Sequence, residues 1–363
     1  MKLKMFICFF MILVCIASFS FVSAQDSDVN DTTGDLDENI LSEESLSVSG
    51  EDDGGLSTSS LTFSDLASSI ASTSDGDTLY LENNYTYVNS SDNNYSDGIG
   101  ILKSITINGN GNVLDGNFES TILDISSSNL VLKNIIFKKG VYDVGAALYI
   151  RANAHVDIIN CTFKENVANN GVVFLEKGAY ANISDCTFKS NYLNEYGVIY
   201  SQINASFCVY NSVFRENTAD MGVIMVYNQT NCNISGSVFA NNTVRVGVIY
   251  MNKGSSGNIY DCIFENHTVT HGVIYLANYF DGKIYSCNFT NNYADYGIIY
   301  RGSDSYSYIK NCTFEYNEAD QGIIYSPTRS NGNIELCTFQ YNFAYNYIIY
   351  RDSSSKGNLT QCF

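Results

Sequence analysis

Tryptophan is absent, proline occurs once, and only 16% of the 363 residues are charged, against about a quarter in an ordinary globular chain. Chain reversals therefore fall to Asn, Ser, Thr and Gly, which suit turns and stacked side-chain ladders. Basic residues are scarce, with 19 Lys and Arg against 38 Asp and Glu. Nucleic-acid binding draws on clustered Lys and Arg, so that class of partner is excluded. No two cysteines have the close CxxC spacing of a zinc site. The three histidines, His155, His267 and His271, have no evident nucleophile beside them. No apolar run after the first 24 residues approaches the ~20 residues of a membrane span, so the remaining body reads as soluble.

The N-terminus reads as a secretory signal over residues 1–24. Lys2 and Lys4 form a basic start, Met5 to Phe21 is nearly all apolar, and Val22-Ser23-Ala24 supplies small residues before a cleavage site. An uncleaved anchor is the alternative, because the apolar run is long for a signal. Residues 25–60 follow as an acidic leader, with eleven Asp or Glu and no Lys or Arg between Gln25 and Gly54. Such a segment buries too little apolar surface to offset its ordering entropy.

From Leu61 the pattern changes. Ser64-Asp65-Leu66-Ala67-Ser68-Ser69-Ile70 carries apolar residues at helical spacing, with Ser64 as the expected N-cap. Gly76-Asp77-Thr78-Leu79-Tyr80-Leu81 then reads as a turn and a strand. Residues 61–135 are expected to form an N-terminal cap, with a short helix over the first core layer, and irregular first coils.

Residues 136–363 hold an internal repeat: Cys-x-Phe, an Asn three residues after the Phe, then Gly-(Val/Ile)-Ile-Tyr. Its Cys position is filled at Cys161, Cys186, Ser212, Ser237, Cys262, Cys287, Cys312, Cys337 and Cys362, at intervals of 25 residues with one of 26. Each unit holds several short β-rich runs and none long enough for a helix. One rung cannot bury its apolar face alone, but stacking places like residues over one another about 4.8 Å apart. The expected fold is all-β: a right-handed parallel β-helix, a solenoid of ~25-residue rungs, its hand following the bias of parallel crossovers. Ile at Cys−3, Cys and Phe are expected to face inward, with a bend between Ile and Cys. The Asn ladder is expected to form a turn, since Asn tolerates the left-handed conformation and its amides can bond from rung to rung.

These residues carry a resemblance. With Ile105-Thr106-Ile107-Asn108-Gly109-Asn110-Gly111 ahead of copies such as Asn311-Cys312-Thr313-Phe314 and Asn317-Glu318-Ala319, residues 61–363 resemble the adhesin-like proteins of methanogenic archaea. They are similar, more distantly, to polymorphic outer-membrane adhesins. The resemblance implies a pectate-lyase-like β-helix and attachment to cells or glycans. The chain departs from that pattern in replacing the second Gly of Gly-Gly-x-Ile, usually by Val or Ile.

Four constellations could carry chemistry. The first is the column of Tyr250, Tyr275, Tyr300, Tyr325 and Tyr350. If the preceding Ile points inward, the Tyr column and the Val/Ile column before it form an exposed strip for glycans or surface proteins; otherwise the rings pack inside. The second is the cysteines: seven of the nine beyond the signal share one column, where a buried thiol acts as a small hydrophobe, so they are expected reduced. Third, Asp295 and Asp320 would stack on adjacent rungs, where they could share a Ca²⁺ or be solvated turn caps; no other cofactor is expected. Fourth, among many Asn-x-Ser/Thr sequons, Asn84, Asn89, Asn241 and Asn266 are candidate glycosylation sites. Asn160 and Asn311, next to core Cys, are poorer ones.

An enzyme of this fold would need a break in regularity with paired carboxylates. The least regular stretch, residues 82–120 with Asp92, Asp97 and Asp115, is the place for it. The function expected is a secreted or cell-surface adhesin-like protein, with a passive envelope protein or a polysaccharide lyase or hydrolase as alternatives. The repeats stop at Cys362-Phe363, inside a motif, so a truncated family member or end-to-end self-association is expected.

Overall fold

The computed structural model describes residues 60–363; the expected signal and nearly all of the acidic leader lie outside the described residues. Strand alternation sets the architecture. Short parallel strands stack into sheets of twelve, eleven and twelve strands, with two further sheets of five and four two- to four-residue strands at a corner. The first long sheet carries Cys-x-Phe and is called here the phenylalanine sheet. The eleven-stranded one carries Ile-Tyr and is called the tyrosine sheet. The third precedes each Cys, as in Ser256–Tyr260, Asp281–Tyr285 and Tyr306–Lys310.

The inward columns fall where the repeat places them. Ile259, Ile284, Ile309 and Ile334 are buried, as are Cys262, Cys287 and Cys312 and every Phe from Phe137 to Phe314 in that column. The Phe rings stack with centroids 4.6–5.0 Å apart and nearly parallel planes. The bend between Ile and Cys is made by one left-handed residue, Asn160, Asp185, Asn211, Asp261 or Asn311, with φ of 46–55°. Asn and Asp tolerate that region best after Gly. All nine cysteines of the described residues are thiols. Those in the column donate to the carbonyl two residues earlier, as Cys262 to Tyr260 at 3.2 Å and Cys312 to Lys310 at 3.4 Å.

Three expectations need correction. Thr62, not Ser64, caps the helix Phe63–Ser72: its Oγ1 accepts from the Asp65 N–H, and the Asp65 carboxylate accepts from the Thr62 N–H. This reciprocal capping box leaves Ser64 free to donate to Asp92. The helix still buries Phe63, Leu66 and Ile70 over the first coil.

The second correction concerns the Asn ladder. The left-handed residue is the one before each Asn (Glu165, Ser190, Glu216, Asn241, Asn291), and the ladder Asn itself turns inward and is buried. Each amide donates to the next Asn side chain and to a Phe carbonyl of the coil below. Asn292 Nδ2, for example, reaches Asn317 Oδ1 at 3.0 Å and the Phe264 carbonyl at 2.9 Å. Its tie is to buried backbone rather than to a strained φ.

His267 stands in this ladder with Nδ1 3.0 Å from Asn292 Oδ1 and Nε2 3.3 Å from Asn242 Nδ2. Burial pushes its pKa down to about 4. The unfolded chain, with a pKa near 6.5, therefore binds more protons than the folded one between those values, and stability falls as pH drops through that window. The loss is expected to reach ~3 kcal/mol at pH 4. His267→Asn should abolish the part of it lying between pH 6.5 and 4.5 in urea melts, and an unchanged pH profile in that variant would refute the assignment.

The third correction concerns Val248, Val273, Ile298 and Ile323, which are fully buried rather than on an outer strip. The chain bends at Val248, Val273 and Ile298 before the strand begins, as at Val248 ahead of Ile249–Met251. Two consecutive side chains can thus both reach the core.

One inward column of the tyrosine sheet takes a buried cation. Val226, Met251, Leu276 and Arg301 are in register, and Arg301 is fully buried. Its guanidinium donates to the carbonyls of Ser307, Asn331 and Gly332 and to Ser326 Oγ. Burial pulls its pKa down to about 9. Gly332 makes the room, since an added Cβ would lie 2.1 Å from the Ser307 carbonyl and 3.0 Å from the guanidinium. Around it the third sheet narrows, from five residues at Tyr306–Lys310 to two at Ile334–Glu335.

Candidate functional site

The tyrosine sheet presents one residue per rung outward, because the Ile before it and the residue after it face the core. Met225, Tyr250, Tyr275, Tyr300, Tyr325 and Tyr350 are in direct register. Ring centroids are 4.8 Å apart for Tyr250–Tyr275 and for Tyr275–Tyr300, 5.6 Å for Tyr300–Tyr325 and 4.9 Å for Tyr325–Tyr350. The five tyrosines singled out from the sequence thus form one continuous aromatic belt.

The belt is half-buried, neither core nor a fully exposed strip. Neighbouring rings cover one another's faces, and residues just before the Gly fold over them. His271 lies 5.3 Å from Tyr275 and 5.2 Å from Tyr296, and Tyr296 lies 5.9 Å from both Tyr300 and Tyr325. Toward the N-terminus the belt is sealed: Phe174, Tyr200 and Met225 are buried, with Tyr196 stacked on Tyr200 at 4.6 Å and Tyr227 packed at its edge. At the first regular rungs Tyr149 is taken up by Glu176, to which its hydroxyl donates at 2.5 Å, and by Arg151, 4.0 Å above its ring.

Electrostatics keep the belt neutral. Partial burial raises the phenols, to about 12 for Tyr275 and Tyr300, and also raises Tyr250 and Tyr325. They remain protonated donors at any physiological pH. Among the described residues, no side-chain hydrogen bond engages the hydroxyls of Tyr250, Tyr275, Tyr300, Tyr325 or Tyr350. A row of apolar rings with unengaged polar tips suits an amphipathic ligand. His271 and Tyr296 belong to this site and were missed, although their place four residues before a belt residue was a readable signal.

The other candidates are dispersed. Asp295 and Asp320 follow the paired Ala294 and Ala319, and Asp320 Oδ1 accepts from the Tyr293 hydroxyl at 3.3 Å. Among the described residues no group of three or more His, Cys, Asp and Glu has the arrangement of a metal site. Three rungs before Asp295, Asp220 is held by Arg245 at 2.6 and 2.9 Å.

In the irregular stretch, Asp92 is buried. It accepts from the Phe63, Ser64 and Val88 N–H groups and from the Ser64 hydroxyl, which anchors the capping helix. Asp115 accepts from the Asn117 N–H in a local turn. Asn89, Asn241 and Asn266 are exposed, the last two in left-handed corners, while Asn84 is half-buried with Oδ1 bound to the Val113 N–H. Asn160 and Asn311 prove exposed as well; the left-handed bend turns them outward although the next residue is core.

Residues 221–362 match the family model described as the right-handed β-helix region. The described residues form a right-handed β-helix. No curated protein matches it. Among solved structures, the crystal structure of PfbA, a surface adhesin of Streptococcus pneumoniae, is similar over 80% of this chain and 73% of that one, at 13% identity and a TM-score of 0.28. At that distance the likeness speaks to neither ligand nor partner.

Proposed function

We propose that this β-helix is a secreted or cell-surface, adhesin-like binding protein. In this reading it takes glycans or surface proteins of neighbouring cells on the Tyr250–Tyr350 belt and performs no catalysis. The observation that carries the proposal is the belt itself. Five registered rings with unengaged hydroxyls occupy an outer face whose inner side is already fully packed, so core packing does not account for them. Repetition matters, because a row of modest contacts gains strength as one array. Against catalysis stand the duties already held by the carboxylates of the irregular stretch and of the rungs: a helix cap at Asp92, a turn at Asp115, ion pairs at Asp220 and Asp304. Exposed Asn241 and Asn266 would carry glycans in a host with the machinery.

The test replaces Tyr275, Tyr300 and Tyr325 together by Ser and reads binding on a glycan array and to whole cells. Binding should vanish while the circular dichroism of the sheets is kept. Undiminished binding, a wild type that binds nothing, or an unfolded triple variant would each overturn the proposal.

A further inference from the structure

A second outer face, on the third sheet, has a chemistry that the belt lacks. Its outward residues alternate with the buried Ile column, so two columns emerge side by side. Asn258, Lys283 and Tyr308 are in register, and Tyr260, Tyr285 and Lys310 are in register beside them. Tyr260 and Tyr285 stack with centroids 4.9 Å apart and planes within 1° of parallel. Between these columns and the adjoining corner lies a cleft of about 470 Å³ lined by Asn258, Lys283, Tyr285, Tyr308, Lys310 and Asn311, among others.

Two ammonium groups beside a flat aromatic platform are unusual on a chain carrying twice as many acids as bases. Among the described residues, neither Lys283 nor Lys310 has a carboxylate within 4.0 Å. Glu335, in register with Lys310 on the next rung, is already engaged. It accepts from the Tyr308 hydroxyl at 2.5 Å and from Asn333 Nδ2 at 3.0 Å. The amide of Asn258 is tied to Asn233 and that of Asn311 to Ser286 at 3.2 Å, so both are positioned rather than free.

We infer that this cleft is a second binding site, for an anionic polysaccharide. The apolar C–H face of a sugar ring would lie on the Tyr285 platform, and its carboxylate or sulfate would be held by Lys283 and Lys310. A charged hydrogen bond of this kind is stronger than a neutral one, and exposed cations attract anions in a salt-dependent way. The site is separate from the tyrosine belt, which offers no cation in its row, and stands or falls independently of it.

The experiment measures binding of the full chain to polygalacturonate, to dextran sulfate and to neutral dextran at low and high salt. Wild type should bind at least one anionic polymer, weaken as salt rises, and ignore neutral dextran. The two anionic arms identify carboxylate or sulfate as the group held. Lys283→Gln with Lys310→Gln should weaken that binding by about tenfold or more, and Lys283→Arg with Lys310→Arg should restore most of it. The triple belt variant should bind the anionic polymer as wild type does. Failure to bind either anionic polymer, an unaffected Gln variant, or equal losses in the belt variant would each overturn the second site. Loss of glycan-array binding in the belt variant alone leaves this site intact, so the two readings fail separately.

Discussion

Phe289→Ala is expected to destabilise the protein by about 3–5 kcal/mol, from lost transfer energy and the cavity left behind. The ring is fully buried and lies between Phe264 at 4.9 Å and Phe314 at 4.8 Å, nearly parallel to both. Both neighbours are pinned in the sheet by their own registers, with Phe264 paired to Phe289 and Phe289 to Phe314. The gap therefore cannot close by sliding one rung. Because each rung touches chiefly the next, the damage should stay local, and one urea transition should split into two. Phe339, half-buried in the same column, supplies the internal comparison: its truncation should cost markedly less. Equal, small effects at both positions would mean that the stack does not carry the core.

What could be read beforehand follows from what a repeat makes visible. A column recurring every 25 residues reports that a position is equivalent in every rung, and alternation along a strand reports which side it faces. Ile259, Cys262 and Phe264 were placed inward on that basis and are buried. Alternation fails where the chain bends. Val248 and Ile249 are adjacent in sequence and both face the core, so the expected outer row of Val and Ile does not exist. The same blindness misplaced the conformational strain of the asparagine corner by one residue, because Asn is common both at left-handed positions and at inward amide ladders.

The belt was legible as a column, but its half-burial was not. That depends on His271 and Tyr296 folding over it from outside the column. The lysine–tyrosine cleft lies in columns of mixed composition, Asn258–Lys283–Tyr308 and Tyr260–Tyr285–Lys310. A search for repeated identity passes over such columns, whereas a search for outward alternation would have found them. Arg301 carried a plain signal, a cation following Val226, Met251 and Leu276 in one column, which holds a second cation, Arg351, two rungs on. What surrounds it depends on Gly332, thirty-one residues later, and on the carbonyls that turn toward it.

Asn217→Ala should cost as much as the loss of a core phenylalanine, although it removes only a small polar side chain. Asn217 is fully buried and closes four hydrogen bonds at once. Its Nδ2 donates to the Phe188 carbonyl and to Asn242 Oδ1, both at 2.9 Å. Its Oδ1 accepts from the Asn191 N–H at 3.1 Å and from Asn191 Nδ2 at 2.9 Å. Alanine would leave a buried backbone N–H and a buried carbonyl without partners, where water has no access. Each orphaned group costs about 1–3 kcal/mol, so a total of roughly 3–5 kcal/mol is expected. Asn342 separates burial from bond count: it makes the corresponding bonds to Phe314 and Asn317 but is half-exposed. Solvent can replace its amide, and Asn342→Ala should cost only about 1 kcal/mol. Matching losses at the two sites in chemical denaturation would show that the ladder acts through the bonds themselves. A small loss at Asn217 would show that the corner repacks around the missing amide, and the ladder would then be dispensable to the stack.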